Sequence, residues 1–119
     1  MKLSLISIEK EGYVRLANDG SITGEDVIGS TNAFESVLGA SWATTRVLLD
    51  FGRTPFVDSS AIGWLIGSQR TFNQNGGKLV LHSVVPSVGQ VFSLLKIHKL
   101  LPIGETEEAG RTLLIGGAK

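Results

Sequence analysis

The sequence predicts an α/β domain with a mixed, mostly parallel β-sheet and helices packed against it, and three observations carry that expectation. After residue 45, short apolar runs alternate with segments of helical period. The run "RVLLDF", Arg46–Phe51, has a continuous apolar centre, which marks a strand covered on both faces. The stretch up to Ala17 instead reads as two strands joined by a tight turn, and such a hairpin makes the sheet mixed. At 119 residues the chain is expected to form a single domain over residues 1–119.

Each element has its own signal. Leu3, Leu5 and Ser7 alternate with Ser4, Ile6 and Ile8, giving a first strand near Lys2–Ile8. Glu11-Gly12 turns the chain, and "YVRLA", Tyr13–Ala17, sets Tyr, Arg and Ala against Val and Leu. Between Gly24 and Ala43, Phe34, Val37 and Leu38 have helical spacing, with Ser30 or Thr31 as the cap and Gly39 as the stop. A helix from Asp58 or Ser59 carries Ile62, Leu65, Ile66 and Phe72 on one face, with Gln69 among them, and ends at "NQNGG". "KLVLHS", Lys78–Ser83, is the next strand. Pro86 and Ser87 open a helix whose inner face is Val88, Val91, Phe92 and Leu95. "ETEEAGRTLL" gives a last helix with an acidic first turn, as the helix dipole favours.

Composition narrows the function. Eleven basic residues balance eleven acidic ones, so no global field draws the chain to nucleic acid or to an anionic membrane. There is no cysteine, which excludes a disulfide framework and thiolate metal sites. The apolar start is too short for a signal-peptide core, and no segment approaches the roughly 20 apolar residues of a membrane helix. A cytoplasmic protein is expected. Phosphate loops of the G-x-x-x-x-G-K-[ST] type, G-x-G-x-x-G and the G-x-S-x-G elbow are all missing. With His82 and His98 as the only imidazoles, neither a metal site nor a hydrolase built on Ser59 and a histidine is expected, and no cofactor is implied.

The junction "FVDSSAIG" is the informative stretch. Asp58 or Ser59 can cap the following helix through a side-chain oxygen, a contribution of about 1 kcal/mol. A serine exposed there can also accept a phosphate, because orphan N–H groups and the helix dipole tolerate an anion. Phosphorylation adds a charge of about −1.5 to −2. Further along, Trp64 lies across the helix from Ile62 and Ile66 and shares its side with Ser60, Ser68 and Thr71. It reads either as an interface anchor or as a ring packed under a loop. Gly63 and Gly67 leave another flank nearly bare.

From Arg46 to Ile103 the chain resembles the STAS domains of anti-sigma factor antagonists. The apolar strand, "FVDSSAIG", the helix, "GGKLVLHSV" and the helix led by Pro86 carry the likeness. The resemblance implies a STAS-like domain that is not an enzyme. It implies binding to an anti-sigma factor that is a serine-protein kinase, release of the sigma factor, and inactivation when a serine is phosphorylated. The acceptor carried over is Ser59, with Ser60 the less favoured neighbour, and Asp58, Ser59, Ser60, Gly63 and Trp64 form the partner-binding set. The alternative is a constitutive STAS interaction subunit in a signalling or lipid-transport assembly. Both monomer and homodimer are compatible with the sequence.

Overall fold

A computed structural model describes residues 1–29 and 32–116. Strands β1 (Leu3–Glu9), β2 (Tyr13–Asp19), β3 (Arg46–Arg53), β4 (Lys78–His82) and β5 (Ile103–Gly104) form one sheet in that spatial order. β1 and β2 pair antiparallel, and all later pairs are parallel. Helices α1 (Gly24–Val27), α2 (Ala33–Leu38), α3 (Ser59–Gln74), α4 (Pro86–Leu94) and α5 (Glu107–Ile115) complete the domain.

The sheet is covered on both sides, as the apolar centre of β3 requires. Val47, Leu49 and Phe51 face a core shared with Ile62, Leu65 and Phe72 of α3 and with Val88 and Phe92 of α4. Leu48 points the other way, into a smaller cluster with Tyr13, Val80 and Leu114 of α5. A Cβ on Gly104 would lie 2.3 Å from the Gly110 backbone nitrogen, so a glycine at β5 is what lets α5 approach the sheet so closely.

Gln69 shows why a polar residue sits within the apolar stripe of α3. Its side-chain N–H donates to the Leu79 carbonyl at 2.8 Å, and its carbonyl accepts from the Leu79 N–H at 2.9 Å. β5 pairs only with Leu81 and His82, so Gln69 supplies the bonds that a longer edge strand would have made.

Several expectations change. A bulge between Leu5 and Ser7 breaks the strict alternation of β1, placing Leu3, Leu5 and Ile8 opposite Asn18, Leu16 and Val14, and Ser4, Ser7 and Glu9 opposite Ala17, Arg15 and Tyr13. Ser30 and Thr31, the expected caps of α2, lie outside the described residues. Asn32 is the cap, accepting from the Phe34 N–H at 2.8 Å. Leu95 belongs to no inner face: α4 ends at Leu94, and Leu95 is 56% exposed. β5 and the one-turn helix α1 have no signal of their own in the sequence, being too short to show a period. The last helix has the acidic first turn expected of it, Glu107 and Glu108, behind a Thr106 cap.

Candidate functional site

β3 leaves the sheet at Arg53, and the chain crosses to α3 through Thr54–Asp58 at the carboxyl end of the parallel strands, where open α/β sheets present their sites. This connection runs beside the one after β2. The Ile22 N–H donates to the Phe56 carbonyl at 3.0 Å, and the Asp58 N–H donates to the Ile22 carbonyl at 3.2 Å. The two loops therefore form a short parallel bridge, Ile22 with Val57.

Asp58 is the tie between them. One carboxylate oxygen accepts from the Ala61 N–H at 2.9 Å and so caps α3. The other accepts from the Gly24 N–H at 2.8 Å, at the first residue of α1. A single carboxylate thus serves two helix starts, and charge makes both bonds stronger than neutral ones. Of the two capping candidates in "DSS", Asp58 takes the role, which leaves the serines free of it.

Ser59 is the first residue of α3 and is exposed, and its hydroxyl has no hydrogen-bond partner among the described residues. Ser60 is also exposed but lies against α1: a Cβ on Gly24 would come within 3.3 Å of the Ser60 hydroxyl oxygen. A side chain at 24 would crowd that hydroxyl slightly, whereas Ser59 has no such neighbour among the described residues. Phe56, 53% exposed, stands three residues before Ser59 on the lip that opens α3, and Ile28, also exposed, follows α1. Neither Gly24 nor these two apolar residues stood out in the sequence. A lone glycine and isolated apolar residues in loops carry no periodic signal, and only the bridge between the loops groups them.

The remaining predicted residues separate. Gly63 is exposed, with open space where a side chain would project, and Gly67 is the same. That bare flank faces solvent, not a neighbouring element. Trp64 is half-buried and stacks on Phe34 with ring centroids 5.1 Å apart, within an aromatic group that includes Trp42 and Phe72. Its indole nitrogen is buried without a partner among the described residues. Much of the ring is packed into that group, and Ser68 on the same side is buried.

The structure brings Ser59 to neither histidine. His82 is buried on the α5 side of the sheet, its Nδ1 2.8 Å from the Ser83 hydroxyl. Desolvation lowers its pKa, opposed by the Asp50 and Glu107 carboxylates and reinforced by Arg15. His98 is exposed in the turn that follows α4. Among the described residues, no three His, Asp or Glu side chains are placed to hold a metal ion. No helix among them is long and apolar enough to cross a membrane. An open groove of about 750 Å³ runs along α4 past Val84, Phe92 and Ile103, and Ser59 does not line it.

Known proteins share this architecture. The anti-sigma F factor antagonist of Paenibacillus polymyxa is 30% identical over 62 residues, which are 52% of this chain and 53% of that protein. The chain therefore matches about half the length of that relative. The Thermotoga maritima protein TM1081 superposes with a TM-score of 0.70 at 17% identity, covering 91% of each chain. The anti-sigma factor antagonist SpoIIAA, a Bacillus cell fate determinant, superposes in its unphosphorylated form with a TM-score of 0.62 at 20% identity, covering 98% of this chain and all of that one. Its phosphorylated form gives 0.59 at the same identity, covering 94% and 99%. At these identities the structural likenesses show the fold. The STAS domain family matches residues 19–110, which take in β3, the Asp58 junction, α3, β4 and α4, and the chain belongs to that family.

Proposed function

We propose that this STAS domain is an anti-sigma factor antagonist: it binds an anti-sigma factor kinase through the Ser59 lip and is switched off when that kinase phosphorylates Ser59. The observation that carries the proposal is the division of labour at the junction. Asp58 holds the helix start and the neighbouring loop, while the adjacent hydroxyl stands exposed and unengaged. A kinase needs an accessible hydroxyl whose modification leaves the fold standing, and the exposure of Ser59 beside a cap that does not use it supports that reading.

The electrostatics supply the switch. A neutral hydroxyl on a junction that also exposes Phe56 suits a docking surface of mixed apolar and polar character. A phosphate there adds about −1.5 to −2 charges beside the Asp58 carboxylate. A partner shaped for the hydroxyl then has to desolvate two adjacent anions, and complexes of that kind lose affinity steeply. The orphan N–H groups of α3 stabilise the phosphate within the domain, so the modification acts on the complex more than on the fold. The names of the P. polymyxa relative and of SpoIIAA, the latter known in both phosphorylation states, support this reading for a chain of the same fold.

The test is to incubate the protein with its cognate anti-sigma factor and ATP and to locate the phosphate by mass spectrometry. Phosphate on Ser59, lost in Ser59→Ala while that variant still binds, is the expected result. A complex that forms with no phosphate on the Ser59 peptide would remove the switch.

A further inference from the structure

We propose that two copies of this chain pair through β1, edge to edge, in one register that the bulge in that strand selects. This goes beyond the proposed function and stands independently of it. β1 is the outermost strand of the sheet, and among the described residues no strand lies on its outer side. Leu5, Ile6 and Ile8 are 45%, 50% and 76% exposed, three apolar side chains on one short edge. An edge of this kind is a template for another strand.

The register follows from side-chain direction. A strand pairing antiparallel with its own copy must place residues of the same face opposite each other. Pairing with β2 assigns Leu3, Leu5 and Ile8 to the α3 side and Ser4, Ser7 and Glu9 to the α5 side, with Ile6 as the extra residue of the bulge. With Ile6 passed over, a two-fold axis at Leu5 sets Leu5 against its own copy, Leu3 against Ile8 and Ser4 against Ser7, each pair on one face. The next pair outward is Lys2 against Glu9. The axis repeats every pair, so the interface carries two Lys–Glu pairs at its ends and apolar contacts on the α3 side, and it is isologous. Without the bulge, the two-fold registers that keep faces matched set Leu3 against Glu9 and Lys2 against Lys10, or put Glu9 beyond reach of Lys2. Lysines and bulges often protect an edge from pairing; here they discriminate among registers, and the charge pattern favours one.

The arrangement has a consequence for the Ser59 lip. A two-fold axis perpendicular to the sheet turns the carboxyl end of β3 in one protomer opposite to that in the other. The two lips point to opposite ends of a continuous sheet, and each is free to hold its own partner.

Sedimentation velocity and light scattering across micromolar to submillimolar protein test the proposal. The wild-type chain is expected to self-associate reversibly to a dimer. Lys2→Glu sets Glu against Glu and Glu9→Lys sets Lys against Lys, and each is expected to weaken dimerisation about tenfold or more. Mixed together, the two variants restore both pairs in a heterodimer that forms more tightly than either homodimer. Leu5→Lys, at the axis, is expected to be monomeric with an unchanged circular dichroism spectrum. A wild-type chain monomeric throughout the range overturns the proposal, and so does a dimer indifferent to Leu5→Lys, or variants whose mixture associates no better than each alone.

Discussion

Two strand-to-helix junctions leave the same end of the sheet, and each puts a serine in the first turn of its helix. At β3–α3 the cap is Asp58, whose carboxylate binds the Ala61 and Gly24 N–H groups, and Ser59 stands unengaged. At β4–α4 no side chain caps the helix. Ser83 takes a left-handed conformation, φ 60°, Pro86 sets the first turn, and the Ser87 hydroxyl donates to the Pro55 carbonyl at 3.3 Å. An exposed serine at a helix start is available for chemistry only when another group has taken over the structural role. A carboxylate does so at one junction; at the other, a proline and a loop carbonyl absorb the local demands and the hydroxyl with them.

Placing a charge at each junction in turn separates the two serines. Ser59→Asp is expected to weaken binding of the cognate anti-sigma factor about a hundredfold, whereas Ser87→Asp is expected to change it less than about tenfold. Isothermal titration of both variants checks this, and equal losses would mean that the lip is not centred on Ser59. A smaller effect falls on stability. Asp58→Ala removes two charge-assisted bonds and is expected to cost about 2 kcal/mol, read as a lower urea midpoint at constant slope. Ser59→Ala is expected to stay within about 0.5 kcal/mol of the wild type. A cost for Ser59→Ala comparable to that of Asp58→Ala would give the hydroxyl a structural role after all.

The same contrast explains what the sequence made legible. The strand, the junction and the α3 stripe were readable because each has a period or a cap signature: the apolar centre of β3, "DSS" before an apolar run, and Ile62, Leu65 and Phe72 at helical spacing. Gln69 was visible as an exception within that stripe, but its partner, the unpaired backbone at Leu79, depends on how short β5 is. Asp58 was legible as a cap and not as a tie to Gly24, because that bond spans 34 residues and joins a helix too short to announce itself. Trp64 could be placed on a side of the helix, but what covers that side is set by Phe34, from a segment with a weak pattern of its own. Local periodicity identifies faces, and long-range contacts decide what each face meets.

Ionisation extends the comparison to the strand ends themselves. Asp50 and His82 are register partners on the α5 side, His82 at the end of β4 and Asp50 three residues before the end of β3. The Asp50 carboxylate accepts from the Gly52 N–H at 2.7 Å, while His82 is buried beside Ser83. Burial holds the His82 pKa below its ordinary 6.5, against the pull of Asp50 and Glu107 and with the help of Arg15. The unfolded chain therefore takes up a proton at a pH where the folded imidazole still refuses it. Stability is full above about pH 6.5 and declines as the pH falls below that value, since the unfolded state then binds more protons. Urea titrations at a series of pH values should show this decline, and His82→Gln should flatten its upper part. An unchanged profile in the variant would assign the decline to carboxylates alone.

The smallest expected effect concerns whether the two junctions act separately. Ser87 bonds the Pro55 carbonyl, three residues before Asp58, so the β3–α3 loop is held at one end by Asp58 and touched from α4 at the other. Alone, Ser87→Ala is expected to cost less than about 0.5 kcal/mol, because the bond is long and exposed. Combined with Asp58→Ala, the cost should exceed the sum by about 0.5 kcal/mol, since each bond limits the motion that loss of the other would release. A double-mutant cycle in urea measures that excess. Strict additivity would make the junctions independent and confine the role of Asp58 to α3 and α1. A positive coupling would mean that the Ser59 lip is steadied from both sides, by its own cap and by the neighbouring helix whose serine is held in place.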